Sequence, residues 1–155
     1  TEFVAAVLKL SGEFSEPAPN LHKLEATIVT MGQKLMDPPS VEGWHTGKEW
    51  IDGGTLTERI NYAVDTLNDP EKPGVKAIID RVRASGQVTP NDLVNQLLEL
   101  VGQLEVDAAT GDALITHAES EGPLDWSSDS AIETSTTRVV QMLTLVVATR
   151  EYQFA

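Results

Sequence analysis

The sequence predicts an all-α fold, an irregular bundle of about six or seven helices with a long Trp/Gly/Pro loop packed on it. Three observations predict this. Apolar residues recur at spacings of three and four in one segment after another. Helix-start devices stand immediately before several of those segments. No strand-like alternation persists anywhere, and there is neither an internal repeat nor a low-complexity tract.

Residues 2–10 form the tail of a helix ended by Ser11-Gly12. The connector 13–19 leads to Asn20, a good N-cap. Leu21, Leu24, Ile28, Met31 and Leu35 then line one face of a helix of about sixteen residues. Pro38-Pro39 must stop it by Asp37, because each ring removes an amide donor and holds the preceding residue extended.

The loop that follows carries Trp44, His45 and Trp50 between Gly43, Gly47, Gly53 and Gly54. A run of about fifteen residues without periodicity tends to be functional or self-packed. Indoles are too large to leave in water cheaply, so the expected arrangement is an Ω-like loop whose tryptophans plug into the helical core. Thr55-Leu56-Thr57-Glu58 fits a capping box with Thr55 as N-cap. Leu56, Ile60, Ala63, Val64 and Leu67 give the next helix its apolar face, with Arg59 beside it and within reach of carbonyls of the preceding loop.

The turn-rich stretch 68–74 separates this helix from a short one marked by Val75, Ile78, Ile79 and Val82 and closed by Gly86 as a left-handed cap. Thr89 as N-cap, Pro90 at the first helical position and Asp92 in the first turn open the next. Its stripe is Leu93, Val94, Leu97, Leu98 and Val101. Residues 107–118 form another, with Ala108, Leu114, Ile115 and Ala118 inward, although Gly111 weakens it by about 1 kcal/mol against alanine. A polar loop, 119–129, carries Trp126. A second capping box, Ser130-Ala131-Ile132-Glu133, opens a last helix of about twenty-two residues, about 33 Å long. Its high Val and Thr content suits a central helix held by packing and not by propensity.

A chain of 155 residues makes one domain, 1–155, able to build a core without staples. Having no cysteine, it offers no thiolate nucleophile and no Cys-based zinc or iron–sulfur site. No apolar stretch is long enough to span a bilayer. Thr1 opens directly on a helix already under way, so the chain is expected to be a fragment of a longer protein. Eleven basic residues stand against twenty-four acidic, a net charge of −13, and 84–137 hold ten acids with no Lys or Arg. Nucleic acid and anionic membranes are repelled by such a surface.

Catalytic signatures are absent from the sequence: it contains no G-x-G-x-x-G, G-x-x-x-x-G-K-[ST] or G-x-S-x-G. His22, His45 and His117 are far apart, and no metal or cofactor is predicted. A general acid–base role for His45 requires Glu42, Glu49 or Asp52 within hydrogen-bond reach. Asp125-Trp126-Ser127-Ser128-Asp129 begins like a calcium loop, then fails where Ser130 replaces the glycine and Thr136 the bidentate glutamate. The candidate ligand-binding residues are therefore Trp44, His45, Trp50, Arg59 and Trp126: rings suited to a sugar groove and a cation suited to an anion.

Gly32-Gln33, then Pro38-Pro39-Ser40-Val41-x-Gly43-Trp44, Gly47-x-x-Trp50-Ile51 and Leu56-x-x-Arg59-Ile60-Asn61-Tyr62 resemble a segment near the C-terminal end of the bacterial family called domain of unknown function 1800. Ala148-Thr149-Arg150-Glu151-Tyr152-Gln153-Phe154 resembles that family's ending, with Arg150 where a proline is common, as it is at His45. The motifs cover about a quarter of the chain, and 69–130 carry none of them. The resemblance implies a helical protein exported to the periplasm or cell surface, with no catalytic residues to carry over. The expected role is a structural or interaction module, not an enzyme, whose partners are the rest of its own longer chain or another protein. The alternatives are carbohydrate or small-ligand binding through the loop tryptophans, or a non-catalytic part of a larger enzyme.

Overall fold

Eight α-helices and no strand are found among the described residues, 1–13, 21–34, 36–43, 51–86 and 88–154 of a computed structural model. They are α1 (Glu2–Ser11), α2 (Leu21–Thr30), α3 (Gly53–Leu67), α4 (Pro73–Ala84), α5 (Pro90–Leu100), α6 (Ala108–Ser120), α7 (Asp129–Ala148) and α8 (Arg150–Phe154). The all-α bundle expected from the sequence is the fold. The eighth helix arises because the last predicted one is two: Thr149 turns extended at ψ 151° and breaks it.

Several boundaries differ from expectation for local reasons. α2 ends at Thr30, short of Leu35, because Gly32 adopts φ 85° and closes a Schellman motif. In it the Gln33 N–H donates to the Ile28 carbonyl and the Gly32 N–H to that of Val29. Its expected cap, Asn20, lies outside the described residues. α3 begins before Thr55. Asp52 is its N-cap, accepting from the Thr55 N–H at 2.8 Å while the Thr55 hydroxyl accepts from the Asp52 N–H at 2.8 Å. The box thus uses a carboxylate, a strong acceptor at a positive helix end, with the two glycines inside the first turn. α7 likewise starts from Ser128, not Ser130. Ala108, expected inward on α6, is exposed, since the Asp107 cap turns the first residue of that helix outward.

Elsewhere the pattern was sufficient. Val75, Ile78, Ile79 and Val82 are all buried on α4, Gly86 follows it at φ 77°, and Thr89 caps α5 ahead of Pro90. At the chain's far end, Arg150 occupies the first position of α8 behind an extended Thr149. That position needs no amide donor, and proline tolerates an extended predecessor. Arg150→Pro is therefore expected to raise stability by about 0.5 kcal/mol through the unfolded chain, read as a small rise in the urea midpoint.

The centre of the bundle is α7, which packs against α3, α4, α5, α6 and α8. Val139, Leu143, Val146 and Val147 are fully buried along it. A smaller cluster of Val4, Leu8, Ile28 and Met31 fixes α2 to α1. The end of α1 and the start of α4 meet backbone to backbone at Gly12 and Gly74. Beside that crossing Glu13 accepts from the buried Ser11 hydroxyl at 2.9 Å and from Lys72 Nζ at 3.0 Å, tying the turn before α4 to the end of α1.

The described part of the loop after α2, residues 36–42, is exposed, with Met36 at 98% and Val41 at 107%. Trp44, His45 and Trp50, the rings expected to plug the core, lie outside the described residues.

Candidate functional site

The two stretches that carried the resemblance, around Arg59 on α3 and around Tyr152 on α8, come together against the first turns of α1. Arg59 is buried at 5% exposure. Its Nη2 donates to the backbone carbonyl of Gln153, and its guanidinium lies 3.9 Å from the centroid of the Phe3 ring. The ring's negative face and the carbonyl oxygen both favour the cation, which offsets part of the loss of water. Burial nevertheless lowers the Arg59 pKa from its ordinary value. Arg59 thus clamps a carbonyl on α8.

Gln153 is itself fully buried and donates from Nε2 to the Val147 carbonyl at 2.7 Å, across the break between α7 and α8. Tyr152 packs edge-on to Phe3, with ring centroids 6.1 Å apart. Glu151 points the other way, to the start of α6, accepting from the Thr110 hydroxyl at 3.0 Å and from the Asp107 N–H at 3.3 Å. There it meets the positive end of a helix, and hydrogen bonds to its carboxylate lower its pKa. One short helix therefore fastens α3 through Gln153, α7 through the same residue and α6 through Glu151.

Burial pushes the Tyr152 phenol up to about 12, the nearby Arg59 cation acting in the opposite direction. The folded protein holds this proton more tightly than the unfolded chain, whose phenol titrates near 10. Its contribution is complete below pH 10 and is lost as the pH climbs toward 12, an effect of up to about 3 kcal/mol. Burial raises Tyr62 as well. The comparison that isolates Tyr152 is with Tyr152→Phe, whose urea midpoint is expected to fall less steeply over that range than the wild type's.

Trp126 is half-buried and packs against the main core, with Arg83 5.9 Å from its ring centroid. Its loop is held down from α7. Ser135 exchanges hydrogen bonds with the backbone of Asp125 at 2.9 and 2.7 Å, and Arg138 donates to the carbonyls of Gly122 and Pro123. The Asp125 carboxylate is engaged by the Ser127 amide and hydroxyl at 2.9 and 3.0 Å.

Trp126 and Arg59 thus belong to different parts of the bundle, while Trp44, His45 and Trp50 lie outside the described residues. His22 and His117 are exposed. No group of three or more His, Asp or Glu among the described residues is placed to hold a metal ion. None of their helices is long and apolar enough to cross a membrane. Sequence reasoning missed Gln153, Glu151 and Arg138, whose partners are separated from them by 6 to 94 residues. The only available signal was that polar residues sat inside or beside apolar helix faces.

Neither the curated proteins nor the solved structures include a match to this chain. Comparison with known families gives a match to the one described as "Protein of unknown function (DUF1800)", and it runs over residues 1–154, far beyond the motifs around Trp44, Arg59 and Tyr152. With essentially the whole length aligned, the chain belongs to the DUF1800 family.

Proposed function

We propose that this region is a structural and interaction module, the C-terminal helical part of an exported bacterial protein, and not the seat of a reaction. One observation carries the reading: the polar residues of its most distinctive motifs are engaged in hydrogen bonds that join one helix to another. Arg59 holds the Gln153 carbonyl, Gln153 holds the Val147 carbonyl and Glu151 holds the start of α6. Groups engaged in this way fix helices to one another, which is the work of a structural joint.

The 155-residue chain is expected to unfold in a single cooperative transition and to turn over no substrate in a broad hydrolase and transferase screen. The protein in its native host is expected to fractionate with the periplasm or cell surface. Saturable turnover abolished by His45→Ala would overturn the first part, and recovery in the cytosolic fraction would overturn the second.

A further inference from the structure

An open groove of about 420 Å³ lies between α1, α4 and the end of α5. Its floor is mostly apolar, and Ala6 and Ala77 stand exposed in it near Gly102, where nothing lies within 4 Å of a Cβ position, so incoming side chains have room. It continues past Ala6 and Gly102 into a second hollow of about 240 Å³ bounded by Phe3, Leu104 and Tyr152. The α1 residues lining the two hollows run from Glu2 to Leu10, about 12 Å along the axis, or roughly two helical turns.

The charge of this groove is opposite to that of the chain. Lys9 and Arg81 line the larger hollow, no carboxylate does, and neither cation is in an ion pair among the described residues. The nearest acid in the lining, Glu2, sits at the far end of the smaller hollow. On a protein of net charge −13 this is a local positive rim around an apolar floor. We propose that the groove receives about two turns of an acidic amphipathic helix from a partner protein. The partner's apolar side chains sit over Ala6 and Ala77, and its carboxylates meet Lys9 and Arg81. The inference rests on reading the region as an interaction module and names the chemistry of its partner.

Other occupants fit less well. The described residues present no strand edge to which an extended peptide could add. A second copy would bring −13 against −13.

The test uses an end-capped, fluorescein-labelled helical peptide of about 15 residues, leucines at helical spacing and glutamates between them, with a lysine-for-glutamate version as its control. Saturable anisotropy with the acidic peptide is expected. It should weaken at least tenfold for Lys9→Glu/Arg81→Glu and for the groove-filling Ala77→Trp, both melting as the wild type does. Absence of saturable binding, equal binding of the lysine peptide or indifference to these variants would overturn the proposal. So would stoichiometric binding of dodecanoate that displaces the peptide, or concentration-dependent self-association blocked by Ala77→Trp. Any of these outcomes leaves the module reading standing, because that reading fails on turnover and not on peptide binding.

Discussion

Gly74→Ala is expected to lower the unfolding free energy by about 3 kcal/mol, the upper part of the range for overpacking a closed site. A Cβ at position 74 would lie 2.6 Å from the carbonyl carbon of Ser11 and 2.7 Å from the Gly12 nitrogen, and would overlap the Leu10 carbonyl oxygen. Every one of these atoms is backbone, so no side chain can rotate away. Gly12 is under the reciprocal constraint, its own Cβ falling 2.6 Å from the Gly74 nitrogen, and at φ 80° it is doubly committed to glycine. Relief requires α1 and α4 to move apart. That would pull Glu13 from Lys72 and disturb Val7 and Val75, both fully buried. Gly53→Ala is the matched control. Nothing lies within 4 Å of a Cβ there, and the residue is the first of α3. It should be neutral or stabilising by about 0.5 kcal/mol. Urea titration of the two variants settles the point: equal midpoints would mean that the crossing is not close-packed.

How much of this was legible beforehand varies with the range of the interaction. α4 and α5 could be read almost residue by residue, because helical periodicity and a Thr-Pro start are local facts. The caps of α3 and α7 lie three and two residues ahead of the ones the sequence predicts, for an equally local reason. Asp52 and Thr55 are both good caps, and Ser127, Ser128 and Ser130 crowd the start of α7, so the chain had several near-equivalent choices. α2 is shorter than its apolar stripe predicts, because the left-handed Gly32 outweighs the one further apolar position at Leu35. What could not be read was tertiary. Nothing local marks Gly74 as the site where another backbone passes, nor says that Arg59 finds its acceptor 94 residues away. Recognition of the motifs around Arg59 and Tyr152 located the important stretches without revealing that they touch.

Arg59→Ala is expected to cost about 3 kcal/mol, for a reason different from Gly74→Ala. The substitution removes a charge-assisted hydrogen bond worth about 1.5–3 kcal/mol and a cation–ring contact worth about 0.5–2. It also leaves the Gln153 carbonyl in the interior without this donor. Against these losses stands the desolvation that no longer has to be borne, which keeps the net below the sum. Arg59→Met separates the contributions, because it fills the space and forfeits only the polar ones; it should fall between alanine and the wild type. Two further readouts distinguish a buried clamp from a surface charge. The loss should be nearly the same at low and high salt, whereas any contribution of the exposed Lys34–Asp37 pair would fade. The Tyr152 phenol should titrate still higher in Arg59→Ala, since the cation that eases its ionisation is gone. An unchanged phenol titration together with a salt-sensitive stability loss would place Arg59 in solvent. The joint between the two most distinctive motifs of the chain would then have to be sought elsewhere, in the packing of Phe3 against Tyr152.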